Sequence, residues 1–148
     1  MSKVNILIVE DDVQILKTLS TLLQQTGYST DTAKNGKEAI QKLETKFFNI
    51  ALLDIRLPDM EGTRLLTTMR QNLPDMVKII ITGYASTENA VEALNLGADA
   101  YILKPIKPKE LLALIEQKLA RQQQVQRMTQ EKVTEWIVTR ARELDTPR

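Results

Sequence analysis

Short aliphatic runs and longer stretches of helical periodicity alternate five times along the first 120 residues. Asn5 to Val9 is an aliphatic run of strand length. Val13, Ile15, Leu16, Leu19, Leu22 and Leu23 then recur at helical spacing until Gly27, a natural helix stop. Tyr28 to Ala33 alternates polar with apolar, as an edge strand does. Asn35-Gly36 turns the chain into a helix marked by Ala39, Ile40 and Leu43, and Ile50 to Leu53 is apolar on both faces. After Gly62, Leu65, Leu66 and Met69 mark a helix that ends near Pro74. Lys78 to Thr82, with Ile79-Ile80-Ile81 at its centre, is a fourth strand. Ser86 or Thr87 can cap the helix that follows, with Ala90, Val91, Ala93 and Leu94 on one face and Gly97 at its end. Ala100 to Leu103 is a fifth strand. A last helix opens at Pro108, a favoured first-turn residue, and carries Leu111, Leu112, Ile115 and Leu119.

Five β-α repeats predict an α/β fold: a doubly wound, five-stranded parallel sheet with five helices and right-handed crossovers. The flavodoxin-like strand order 2-1-3-4-5 sets strands one and three side by side at the switch point, flanking one crevice. No Gly-x-Gly-x-x-Gly or Gly-x-x-x-x-Gly-Lys-Ser/Thr run follows a strand, which argues against a dinucleotide site or a P-loop.

This domain is expected over residues 1–120, with a C-terminal helical extension over 121–148. The extension begins with a Gln-rich tract, Gln122 to Gln126, which reads as a linker, and continues as an amphipathic stripe of Val133, Trp136, Ile137, Ala141 and Leu144. The stripe suits a short coiled coil with a second copy, a fold-back onto the domain, or the start of an output domain. A homodimer or helical-partner surface is preferred, because an exposed Trp and Ile would otherwise cost solubility. Six basic against four acidic side chains, and no room for a helix-turn-helix, predict no direct nucleic-acid binding by this chain.

Composition narrows the chemistry. Twenty Lys+Arg against 19 Asp+Glu give no electrostatic reason to expect nucleic acid. There is no Cys and no His, which removes thiol nucleophiles, thiolate metal sites, Ser-His triads and the usual zinc ligands. Carboxylate, hydroxyl and amine remain, a set suited to a hard, oxygen-bound cation such as Mg²⁺. No apolar run approaches a membrane span and the N-terminus lacks a signal-peptide pattern, so the expected setting is cytoplasmic, with no membrane partner.

The polar residues that close the strands form a pattern. Strand one ends in Glu10-Asp11-Asp12, strand three in Asp54, strand four in Thr82 and strand five in Lys104-Pro105. The acidic run alone reads equally as a helix cap or as a divalent-cation site. Acids, hydroxyl and ammonium aimed at one edge make a stronger case. A carboxylate held there can attack a phosphoryl group, with charge neutralised around it.

These residues and their flanks (Glu10-Asp11-Asp12, Asp54-Ile-Arg-Leu-Pro58-Asp-Met-Glu-Gly62, Thr82-Gly83, and Tyr101-Ile-Leu-Lys104-Pro105) resemble the receiver domains of two-component response regulators, from Lys3 to about Leu119. The resemblance implies Asp54 as phosphoacceptor and Mg²⁺, or Mn²⁺, as cofactor. It implies Asp11 as direct ligand, Glu10 acting through water and the Arg56 backbone carbonyl completing the site. Thr82 would hydrogen-bond the phosphoryl oxygen, Lys104 would pair with it, and Tyr101 would be the switch aromatic. Arg56 and Tyr84 stand where side chains tune phosphoryl lifetime, and their bulk predicts slow autodephosphorylation. The implied partner is a sensor histidine kinase or phosphotransfer protein. The chain is expected to turn over no metabolite, while catalysing its own phosphorylation and dephosphorylation. A phosphorylation-independent adaptor on the same fold is the alternative. A haloacid-dehalogenase-like phosphatase would need an acid where Arg56 stands.

Overall fold

The computed structural model describes residues 3–83 and 86–145. Tyr84, one of the two lifetime positions, lies outside the described residues. Strands β1 (Asn5–Val9), β2 (Ser29–Ala33), β3 (Ile50–Leu53), β4 (Val77–Thr82) and β5 (Ala100–Leu103) form one parallel sheet in the order β2-β1-β3-β4-β5. Helices α1 (Val13–Thr26), α2 (Gly36–Thr45), α3 (Gly62–Asn72) and α4 (Thr87–Asn95) connect them, and α5 (Pro108–Asp145) follows β5. The expected fold and order are therefore observed. β2 begins one residue later than the periodicity predicts, and β4 one residue earlier.

The central strands are buried on both faces, as parallel strands flanked by helices must be. Leu7, Val9, Ala51, Leu53 and Ile80 join Ala39, Leu65, Leu66, Met69 and Ala93 in a core on the α2–α3–α4 side. The alternate positions Ile8, Leu52 and Ile81 meet Ile15 and Leu19 of α1 on the other side. Each fully buried Ile or Leu contributes about 1.5–3 kcal/mol relative to exposure, so the aliphatic centre of β4 is a major anchor of the sheet.

Helix starts follow local chemistry. Asp12 caps α1, its carboxylate accepting from Gln14 N–H at 2.9 Å and Ile15 N–H at 3.3 Å. Asn35 caps α2 by accepting from Glu38 N–H at 2.8 Å, while the Glu38 carboxylate accepts from Lys34 N–H at 2.8 Å. Ser86 takes the cap position of α4, its carbonyl accepting from Ala90 N–H at 3.1 Å. Gly62 opens α3 because the chain doubles back there. A Cβ at Gly62 would fall on the Asp54 carbonyl oxygen and within 2.6 Å of the Ile55 Cα.

Residues 3–113 and 114–145 belong to two separate compact units. In the second, the Gln-rich tract lies inside α5 rather than in an irregular segment. Ile115, Leu119 and Gln122 are buried there, whereas Trp136 is 62% exposed and Leu144 85%. Among the described residues, no helix is long and apolar enough to cross a membrane.

Candidate functional site

Sheet register builds the site. Val9 of β1 pairs with Leu53 of β3, so Glu10 and Asp54, each one residue further on, emerge side by side. Asp54 N–H donates to the Val9 carbonyl at 3.1 Å and fixes that alignment. On the other side, Thr82 of β4 pairs with Leu103 of β5, and Lys104 N–H donates to the Thr82 carbonyl at 2.8 Å. Lys104 therefore leaves the end of β5 with a stem long enough to reach back over β4.

Its ammonium lies 2.9 Å from Asp54 Oδ2 and 3.1 and 3.2 Å from the two Glu10 oxygens. Glu10 and Asp54 are only 4% and 7% exposed. Burial pushes the Glu10 carboxyl up to about 7, aided by its hydrogen bond with Asp54 and opposed by Lys104. Burial alone would lower the Lys104 ammonium, but its hydrogen bonds to Asp54 and Glu10 outweigh this and the net shift is upward.

Carboxylate oxygens of Glu10, Asp11 and Asp54 lie within 4.8 Å of one another, with Asp11 exposed. Three converging hard oxygen donors fit a small divalent cation, with room for water on the open side. Asp12 is not among them, because its carboxylate is committed to the α1 cap. Arg56 N–H donates to Asp54 Oδ1 at 3.2 Å, which places the Arg56 peptide beside the acids. Thr82 is fully buried at the end of β4. Tyr101 is half-buried against the core; burial first, then the nearby Asp54 charge, raises its phenol pKa.

Two residues to which the sequence reading gives no role carry weight here. Asp59, in the loop between β3 and α3, accepts hydrogen bonds from the backbone of α2. An acid just before the Met-Glu-Gly turn was the only signal, and its partners are more than twenty residues away. Lys78 in β4 is 3% exposed, and its ammonium donates to the Met76 carbonyl at 2.7 Å. Desolvation lowers its pKa, partly opposed by the Asp99 charge. A lysine next to an isoleucine run gives no sequence sign that it is buried.

Fold and edge together define a class: doubly wound domains that hold a strand-end carboxylate between a cation site and an ammonium. The chain belongs to the response regulator receiver domain family, whose sequence model matches residues 6–116. It is similar to a CheY-like response regulator receiver domain from Methanospirillum hungatei JF-1, with 50% identity and a TM-score of 0.81. That match covers 83% of this chain and 98% of the other. The transcriptional regulatory protein ZraR of Escherichia coli is 35% identical over 79% of this chain and 26% of its own length. The regulatory protein AtoC of Escherichia coli is 34% identical over 92% of this chain and 30% of its own. The chain thus spans less than a third of these two relatives. Phosphorylation-dependent signalling is the standard role of the family, its members bind Mg²⁺ at an acidic pocket, and they interact with histidine kinases or phosphotransfer proteins.

Proposed function

We propose that this chain takes a phosphoryl group from a phosphohistidine onto Asp54 in an Mg²⁺-dependent reaction and signals through the resulting change of shape. The observation that carries this reading is the three-way contact of Lys104 with Asp54 and Glu10 at the sheet edge. A carboxylate Oδ of Asp54 attacks phosphorus in line. The P–N bond to the donor imidazole breaks, its electrons return to that nitrogen, and an acyl phosphate forms on Asp54.

Mg²⁺, when bound by Asp11, Asp54, the Arg56 carbonyl and, through water, Glu10, supplies neutralisation of phosphoryl charge. Lys104 exchanges its bond to Asp54 for one to a phosphoryl oxygen. The Thr82 hydroxyl donates to another, and Tyr101 turns inward behind it. The bulk of the side chains at Arg56 and Tyr84 slows hydrolysis.

Beside Lys104 lies an apolar groove of about 330 Å³, lined by Ile15, Leu19 and Leu22 of α1 and by Pro105 and Ile106. A helix of the donor protein is the occupant that would bring a phosphohistidine to Asp54. The exposed Val133, Trp136, Ile137 and Leu144 of α5 are read as the contact between two copies. Residues 1–120 act as receiver and 121–148 as the helical connection; the setting is the cytoplasm.

Beryllofluoride, a phosphoryl mimic, tests the reading. With Mg²⁺ it should shift the amide resonances of residues flanking Asp54, Thr82, Tyr101 and Lys104, and leave those of Asp54→Ala unmoved. Unshifted resonances in the parent would contradict the proposal.

A further inference from the structure

The loop between β3 and α3 follows Asp54 and contains Arg56, and it is held at both ends. At its base Gly62 N–H donates to the Ile55 carbonyl at 2.7 Å, and Arg56 faces Glu61 in an isolated antiparallel bridge. At its tip the Asp59 carboxylate accepts from two backbone groups of another element: Gly36 N–H through Oδ1 at 2.8 Å and Lys37 N–H through Oδ2 at 3.0 Å. These are first-turn donors of α2, which no carbonyl of the helix itself can satisfy. Asn35 takes the next one, Glu38 N–H. Beside this clamp the Met60 side chain lies so close to Gly36 that a Cβ there would fall on its sulfur. Both Asp59 oxygens are used, and the residue under Met60 is the one without a side chain.

We infer that Asp59 is a positioning residue for the cation site: by fastening the loop tip to the first turn of α2, it fixes the Arg56 peptide in place. Arg56 lies three residues before the clamp, and its own N–H is committed to Asp54 Oδ1. The chain is therefore held on both sides of the Arg56 carbonyl. A ligand held in place before the ion arrives loses little freedom on binding, and that difference appears as affinity. The inference rests on the proposed role of that carbonyl. It adds a residue outside the acid cluster, and it makes α2 a support of the site. What α2 contributes is backbone N–H groups, and its first residue, Gly36, must stay without a side chain beneath Met60.

The test uses the full chain, with MgCl₂ titrated against amide resonances and, separately, acetyl phosphate labelling measured across Mg²⁺ concentrations. Asp59→Ala should weaken Mg²⁺ binding about tenfold, the scale seen when groups that orient metal ligands are removed. It should raise the Mg²⁺ concentration for half-maximal labelling by the same factor and leave the rate at saturating Mg²⁺ unchanged. Asp59→Asn keeps one acceptor oxygen and should fall between. Gly36→Ala, which drives Met60 and the loop tip outward, should act in the same direction. Asn35→Ala removes a cap of the same helix without touching the loop; it should lower the melting temperature and leave Mg²⁺ affinity alone. If Asp59→Ala binds Mg²⁺ as the parent does, or no more weakly than Asn35→Ala, the inference is overturned while the function proposed above stands. If the parent itself takes up no Mg²⁺, both fall.

Discussion

Lys104 and Glu10 lie 94 positions apart in sequence, yet the lysine ammonium sits 3.1 and 3.2 Å from the two oxygens of the glutamate. The same ammonium touches Asp54 at 2.9 Å. Lys104 thus neutralises the acids that would otherwise face one another, and a divalent cation must compete with it for them.

That competition has a measurable consequence. Lys104→Ala strands two nearly buried carboxylates, and should cost about 1–2 kcal/mol of stability without Mg²⁺, the lysine being partly exposed. The same variant should bind Mg²⁺ more tightly than the parent while accepting phosphoryl more slowly. Denaturant melts with and without MgCl₂, together with labelling rates, check both. Weaker Mg²⁺ binding in Lys104→Ala would refute the competition.

Stability without metal should depend on pH through Glu10. Its carboxyl moves from 4.5 to about 7 on folding, so the folded chain holds this proton more tightly than the unfolded chain. The contribution is complete below the unfolded value and is lost as pH rises through about 7. In EDTA the melting temperature of the parent should fall across that interval more than that of Glu10→Gln. Matching slopes for the two proteins would remove Glu10 as the cause.

Phosphoryl lifetime should respond to the two positions whose bulk is expected to limit the approach of water to Asp54. Arg56→Ala combined with Tyr84→Ala is expected to speed loss of the label several-fold, followed by acid-quenched mass analysis over time. An unchanged decay rate would mean that neither side chain obstructs water.

Association through α5 should depend on its exposed apolar stripe. Ile137→Asp with Trp136→Ser is expected to shift the chain from dimer to monomer in sedimentation velocity without altering labelling of Asp54. A parent that sediments as a monomer at all concentrations would rule the dimer out.

The fold was legible because each central strand is an unbroken aliphatic run and each helix carries its apolar residues on one stripe. Glu10, Asp54 and Lys104 were legible for a related reason: a residue that closes a strand points at the sheet edge whatever its neighbours. Asp59 was not, because its role depends on where α2 begins in space, and no local period encodes that meeting. Lys78 was hidden for the opposite reason. Its burial requires carbonyl acceptors at Met76 and Pro74, which exist only once the chain entering β4 has folded back. The Gln-rich tract read as a linker by composition, yet glutamine is a good helix former and α5 runs through it.

The most direct measurement is the intact mass of the parent and of Asp54→Ala after incubation with acetyl phosphate and Mg²⁺. The account predicts a gain of about 80 Da, one phosphoryl group, in the parent alone, abolished when EDTA is added beforehand. The same gain in Asp54→Ala, or a gain in the parent that EDTA leaves intact, would contradict it.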